Sequence, residues 1–262
     1  MSSDYPVVIL CGGLGTRMGS KTDVKPKPMV KIGDKPILWH IMKIYAANGY
    51  TDFVLALGYK SEVIKDYFLS YKSYNNSVEV NTRTGDLEVL SNEPDEDWNV
   101  KLVNTGVRTL KGGRIKRLEP HIDSDRFMLT YGDGVADVDV NDLVSFHESH
   151  DAAGTITGVN PPSRFGEMNL DGDRVRSFSE KPQASQGTIN GGYMVLESKI
   201  FDYLSTDKDC DFEVGPLERF AADGELRMYR HEGKWECADN QRDLDHLNEQ
   251  WRAGDVFWEV WN

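Results

Sequence analysis

Residues 6–11 read PVVILC and residues 12–17 read GGLGTR, so an apolar run rich in β-branched side chains breaks directly into glycines and then a cation. A short continuous apolar run bounded by turn residues reads as a strand buried on both faces. Such strands belong to parallel sheets that helices cover on each side. The chain keeps to that plan. Residues 37–48 carry Ile37, Ile41 and Ile44 at helical spacing and stop at Gly49, 53–57 is a second apolar run, and 61–71 has Val63, Ile64, Tyr67 and Phe68 on one side. Residues 126–131 read as another buried strand and 140–150 as a helix with Asp139 as its N-cap. This alternation predicts an α/β fold: a Rossmann-like, mostly parallel mixed sheet with helices on both faces.

Beyond residue 152 the pattern shortens. Strands are expected at 155–159, 175–178 and 193–196, short helices at 201–204 and 217–222, and a last helix at 242–252. No linker separates the two textures, so 1–262 reads as one domain with halves 1–150 and 151–262.

A net charge of −13 repels phosphate backbones and anionic bilayers, so neither nucleic acid nor a membrane is expected as a partner. No apolar run approaches the ~18 residues that span a bilayer. The opening MSSDYP lacks a leader pattern, and a cytoplasmic protein is expected. Cys11, Cys210 and Cys237 are odd in number and nowhere spaced Cys-x-x-Cys, which points away from a disulfide framework or a zinc site. The histidines show no metal-ligand spacing, and His147 and His150 read as ordinary surface residues.

The glycine segment begins where the first strand ends. In an open α/β sheet ligands bind outside the carboxyl ends of the strands, and glycines let backbone N–H groups approach an anion. The P-loop pattern G-x-x-x-x-G-K-[ST] is absent, and the dinucleotide fingerprint fails at Met18. Downstream, Lys25-Pro26-Lys27-Pro28 is expected to be extended, because each proline disfavours helix in the residue before it. Lys25 and Lys27 would then project to one side. Strand, glycine loop, Arg17 and these lysines together point to a triphosphate site.

The runs L-C-G-G-L-G-T-R-M and K-P-K-P-M resemble the signature of the sugar-phosphate nucleotidyltransferases. K-P-I-L-W-H-I-M-K-I-Y at 35–45, G-Y-K at 58–60, W-N-V at 98–100 and G-G-R-I-K-R at 112–117 are similar to the glucose-1-phosphate cytidylyltransferase group within that family. So are T-Y-G-D-G-V-A-D at 130–137, R-F-G at 164–166, F-S-E-K-P at 178–182, I-N-G-G-Y at 189–193 and the tail F-W-E-V-W. The resemblance implies transfer of the cytidylyl group of CTP to a hexose 1-phosphate, α-D-glucose 1-phosphate, giving CDP-glucose and pyrophosphate, with Mg²⁺ as cofactor. The product would serve CDP-deoxysugar and surface polysaccharide synthesis. The attacking phosphate oxygen is already ionised at neutral pH, so this chemistry needs positioning and charge neutralisation rather than a general base.

The resemblance also implies roles residue by residue. Leu10, Cys11, Gly12, Gly13, Leu14, Gly15 and Thr16 would form the nucleotide loop. Arg17 and Lys27 would contact the reacting phosphates, with Asp133 as the third catalytic residue. Thr109, Arg114 and Gly132 would contact the nucleotide. Asp133 and Asp239 would hold the metal, and Glu180, Lys181, Asn190, Gly191 and Gly192 would line the sugar-phosphate pocket. Cys11 stands where the family usually carries alanine, which adds an expected thiol sensitivity. Ala238 stands where it usually carries methionine, which implies looser packing beside Asp239. Trp251, Phe257, Trp258 and Trp261 crowd the chain end and call for cover, either by folding back on their own subunit or at a subunit interface. The resemblance implies a homo-oligomer, with a hexamer as one candidate, and so favours the interface. Two other readings stay open: a related nucleotidyltransferase with another acceptor or NTP, and a non-catalytic nucleotide-binding sensor.

Overall fold

Val7, Val8 and Ile9 have no exposed surface and Leu10 is 8% exposed, so the opening strand lies where both of its faces are covered. The computed structural model describes residues 5–13, 25–90, 96–160, 167–171, 173–179 and 187–261. Seven strands form the main sheet: β1 (Val7–Leu10), β2 (Asp52–Leu57), β3 (Asn99–Asn104), β4 (Arg126–Tyr131), β5 (Gly154–Val159), β6 (Ile189–Glu197) and β7 (Leu226–Arg230). Their order is β7-β5-β6-β4-β1-β2-β3. β1 pairs in parallel with β2 and β4, β2 pairs in parallel with β3, and β5 with β7. Only β6 runs against its two neighbours, β4 and β5, so the sheet is mostly parallel and mixed, as expected.

Alternate residues of β1 serve opposite faces. Val7 and Ile9 pack with Ile37, Ile41 and Ile44 of helix α1 (Ile37–Ala47). Val8 and Leu10 pack on the other face with Ile115 and Leu118 of a helix at Lys111–Leu118. Helix α2 (Ser61–Leu69) follows β2. With the Lys111–Leu118 helix as α3, α4 (Val140–Glu148) and α5 (Gln241–Ala253) complete the layers. Asp139 caps α4, accepting from the N–H groups of Asn141 and Asp142.

Several expectations are corrected. α3 has no strong sequence signal, because it opens on Lys-Gly-Gly and glycine is a poor helix former. Its first turn is held from outside: Leu110 N–H donates to Lys208 O at 2.7 Å and Gly113 N–H to Cys210 O at 3.0 Å. The helix expected at 61–71 ends at Leu69, and a separate short helix occupies Tyr71–Asn75. The strand expected at 193–196 begins at Ile189, which carries Asn190, Gly191 and Gly192 into the sheet. His147 is buried rather than at the surface, hydrogen-bonded through Nδ1 to Thr155 Oγ1 at 2.9 Å, and burial lowers its pKa to about 4.

The aromatic tail folds back on its own chain. Trp258 is fully buried, and Trp251, Phe257 and Trp261 pack partly buried against the same core. The receptor is α1. His40 Nε2–H donates to Ile32 O at 3.0 Å, and its Nδ1 accepts from Trp258 Nε1–H at 3.3 Å. Burial holds this imidazole neutral, with its pKa lowered to about 4. Trp39 meets Trp261 edge-on at 5.7 Å between ring centroids. Intrachain packing thus accounts for all of Trp258 and for part of Trp251, Phe257 and Trp261, which is the fold-back arrangement of the tail.

Candidate active site

The strand order reverses between β1 and β4: the chain leaves β1 towards β2 and β3, then returns to β4 on β1's other side. Loops leaving the carboxyl ends of β1 and β4 therefore diverge and open a crevice. A cavity of about 860 Å³ lies there, lined by Leu10, Gly12, Gly13, Lys27, Pro28, Tyr59, Thr109, Arg114, Tyr131, Gly132 and Asp133, among others. That volume suits a nucleotide-sized ligand.

Three charged side chains meet in it. Lys27 does not lie on an extended segment: Met29 N–H donates to Pro26 O and Val30 N–H to Lys27 O, closing a single 3-10 turn over Lys27–Met29. Pro28 is tolerated because the first helical turn has no use for its missing N–H. The turn separates the two lysines, leaving Lys25 exposed and Lys27 half-buried. Asp133 stands two residues beyond the end of β4. Asp239 is brought to it by a two-stranded pairing of Gly134–Ala136 with Trp235–Cys237, completed by Ala238 N–H donating to Asp133 O at 2.9 Å. Lys27 Nζ then lies 2.6 Å from Asp133 Oδ2 and 3.0 Å from Asp239 Oδ1. Burial alone would lower the lysine pKa, but the two carboxylates outweigh it and hold it above the ordinary value.

Two carboxylate oxygens converging on one cation are hard donors of the kind Mg²⁺ or Ca²⁺ takes. Among the described residues no three His, Cys, Asp or Glu side chains group as a metal site. The donor set therefore fits an ion held by two carboxylates and completed by phosphate oxygens and water. Ala238, beside the second carboxylate, is fully buried.

Arg114 is only 4% exposed, and its guanidinium is committed to the loops around the cavity. Nη1 donates to Gly106 O at 2.6 Å, Thr105 Oγ1 at 2.8 Å and Leu57 O at 3.3 Å. Nη2 donates to Gly12 O at 2.8 Å and Val107 O at 3.2 Å. Burial and neighbouring Arg117 lower its pKa, but from so high a start that it stays charged. The group is packed against both Gly12 and Gly58, where a Cβ would come within 2.2 and 2.4 Å of Nη1. Arg114 thus ties the ends of β1, β2 and β3 together at the glycine loop. Thr109 accepts from Arg117 Nη1 at 2.9 Å. Gly132 abuts the opposite strand, where a Cβ would meet Leu10 O at 2.8 Å. Cys11 has no exposed surface, and burial pushes its thiol pKa up, against the pull of Arg114. A buried thiol held protonated is inert, which corrects the expected sensitivity.

Asn190 and Gly192 touch the cavity residue Tyr131, whose hydroxyl accepts from Asn190 Nδ2 at 3.1 Å, whereas Gly191 packs against Val159 and its carbonyl accepts from Trp235 Nε1–H at 2.7 Å. Leu14, Gly15, Thr16, Arg17, Glu180 and Lys181 lie outside the described residues. Sequence reasoning passed over Tyr59, Lys111 and Tyr131, which line the cavity, and Asp211 beside them. Tyr131 could have been found as the last residue of the strand leading to Asp133. Asp211 carries no local signal, because only the packing of its loop on α3 brings it there.

Comparison with known proteins gives the family. The nucleotidyl transferase family profile matches residues 6–237. The chain is 46% identical to a probable glucose-1-phosphate cytidylyltransferase of Bacillus subtilis, over 97% of this chain and 99% of that protein. It is 44% identical to glucose-1-phosphate cytidylyltransferase of Salmonella typhi, over 97% of this chain and 98% of that protein. Among solved structures, HddC from Yersinia pseudotuberculosis superposes with a TM-score of 0.69 at 27% identity, covering 94% of this chain and 99% of the other. A strand–glycine-loop crevice carrying Lys27, Asp133 and Asp239, and likeness along nearly the whole length, place this chain in the nucleotidyl transferase family, beside the glucose-1-phosphate cytidylyltransferases.

Proposed function

We infer that the protein transfers the cytidylyl group of CTP to α-D-glucose 1-phosphate, forming CDP-glucose and releasing pyrophosphate. The observation that carries this reading is the 44–46% identity to glucose-1-phosphate cytidylyltransferases over 97% of the chain. The cleft supports it chemically. An oxygen of the sugar phosphate forms the new bond to the α-phosphorus, the bond to the β-phosphate oxygen breaks, and its electron pair leaves with pyrophosphate. No proton need be removed from the nucleophile, so no general base is required, and the task of the site is positioning and charge neutralisation by ammonium and backbone N–H groups and by a cation held on the carboxylates. Lys27 is proposed to neutralise the reacting phosphates, and the loop from Leu10 to Thr16 to cradle the triphosphate, with Arg17 on its β- and γ-phosphates. Arg114 acts by holding the Gly12 backbone in place. Asp133 and Asp239 would hold a divalent cation, proposed to be Mg²⁺, which when bound supplies charge neutralisation at the α-phosphate and the leaving group. Glu180, Lys181 and the Asn190–Gly192 segment are proposed to face the sugar phosphate. With glucose 1-phosphate as acceptor, CTP should be turned over at least about tenfold faster than dTTP or UTP, since an unpaired polar edge in a base pocket is costly. Equal rates with CTP and dTTP would contradict the base assignment.

We also propose that the protein assembles as a homo-oligomer, with six copies as the order to test. The support comes from an antiparallel pair, Val78–Val80 with Leu87–Val89, rather than from the tail. Its alternation puts Val78, Val80, Leu87 and Val89 on one face, and Val80 and Leu87 are 51% and 52% exposed. The other face sets Glu79 opposite Glu88, a like-charge pair. A two-stranded hairpin is marginal unless its apolar face is covered, and a second copy of this chain would cover it. Light scattering should show an oligomer that the double variant Val80→Lys/Leu87→Lys dissociates; a monomeric wild type would refute the assembly.

A further inference from the structure

The loops around the cleft follow the strand order. Those leaving β3, β2 and β1 lie to one side of Asp133, and β6, with Asn190, lies to the other. In-line transfer brings the acceptor to the α-phosphate from the side opposite the leaving pyrophosphate. A triphosphate on the β1 loop therefore leaves the β4–β6 side for the acceptor sugar.

That side carries a built network. Tyr131, two residues before Asp133, donates its hydroxyl to Glu213 Oε1 at 2.7 Å. Lys111 Nζ pairs with the same carboxylate, and it lies 5.1 Å from the centroid of the Tyr131 ring. Asn190 donates Nδ2 to the Tyr131 hydroxyl at 3.1 Å, while its Oδ1 accepts from Gly192 N–H at 2.8 Å. Gly192 lies so close to the ring that a Cβ there would come within 2.6 Å of Cδ2. Glu213 is itself fixed at its backbone, because Asp211 Oδ1 accepts from the N–H groups of Glu213 and Val214 at 2.9 and 3.1 Å. The network joins β4, α3, β6 and the 211–214 turn, so its geometry is set by the fold and not by one flexible side chain. Tyr131 and Lys111 line the cavity, and the Glu213 side chain they hold remains 30% exposed.

A carboxylate and an ammonium fixed beside an aromatic ring suit a hexose. The carboxylate accepts from sugar hydroxyls, the ammonium donates to hydroxyl or phosphate oxygens, and the ring covers a C–H face. We propose that Glu213, fixed by Tyr131 and Lys111, orients the hexose of the acceptor and selects among sugars without taking part in nucleotide binding. The proposal rests on the acceptor class inferred above.

Glu213→Gln keeps the size and removes the charge. It should raise KM for glucose 1-phosphate about tenfold, while the CTP affinity measured by calorimetry and the KM for CTP stay within about twofold. Deoxy analogues of glucose 1-phosphate, each lacking one ring hydroxyl, give a readout that general loosening would not move. At least one analogue that wild type discriminates against should be used by the variant as well as the parent sugar. Tyr131→Phe keeps the ring and drops the bond that fixes Glu213; it should show the same acceptor-only pattern more weakly, and it serves if the glutamine variant does not fold. KM for CTP rising in step with that for the acceptor would overturn the role of Glu213. So would unchanged discrimination against every deoxy analogue in both variants. Wild type that forms no nucleotide sugar from glucose 1-phosphate would overturn the acceptor reading, and this proposal with it.

Discussion

Asp133→Asn should lower turnover with CTP and glucose 1-phosphate by about three orders of magnitude, the size of effect seen when a group aimed at transition-state charge is removed. The substitution is nearly isosteric, and Asp133 sits at the cavity with its side chain 31% exposed, so the fold should survive. Its backbone carbonyl, which receives Ala238 N–H, is untouched. What is lost is one of the two carboxylates that meet at Lys27. Asp239 alone would then carry the charge balance for lysine and cation together. Steady-state kinetics beside thermal melting separates the effects: turnover should collapse while the melting temperature moves by no more than a few degrees. Excess chelator on wild type should reproduce the loss. Turnover within tenfold of wild type, or full activity in chelator, would remove the metal-dependent account of this site.

Removing the C-terminal anchor should cost stability, not assembly. Trp258 is fully buried, and its indole N–H satisfies a fully buried histidine. Trp258→Ala forfeits about 3–5 kcal/mol for a large core aromatic. The His40 acceptor left without its donor adds to that. A domain has only about 5–15 kcal/mol of stability in total, so the variant should sit near the edge of folding. Deletion of 255–262, which also takes Trp261 off Trp39, should go further. Urea denaturation at fixed protein concentration measures the first, and soluble yield with circular dichroism the second. A Trp258→Ala variant with an unchanged unfolding midpoint, or a truncated chain as soluble and as folded as the parent, would show that the tail is not part of the core.

How far the sequence alone carries can be read from these same residues. The 6–11 and 126–131 runs are legible because both are central strands ending at the crevice, and a buried strand writes itself as a continuous apolar run. Asp133 and Lys27 were legible through their motifs. The environment of Lys27 was not: local rules for proline predict extension, whereas two turn hydrogen bonds and the pull of two carboxylates fold it inward. Helix α3 was invisible because its stability comes from carbonyls of residues 208 and 210, far away in the chain. Arg114 is legible as a residue of the nucleotide site, and it lines the cavity, but its five hydrogen bonds to the loops after β1, β2 and β3 join segments far apart in the chain, which no spacing can express. The tail is ambiguous for a related reason: an aromatic cluster announces burial but not by which surface, and only the placement of α1 decides.

The most direct test of the account is a one-pot competition. CTP, UTP, ATP and dTTP at equal concentration are offered with an equimolar panel of hexose 1-phosphates and Mg²⁺, and the products are identified by mass spectrometry with pyrophosphate release followed in parallel. CDP-glucose should dominate, with one pyrophosphate released per nucleotide sugar. A different nucleotide sugar as the main product, or none from CTP and glucose 1-phosphate, would contradict it.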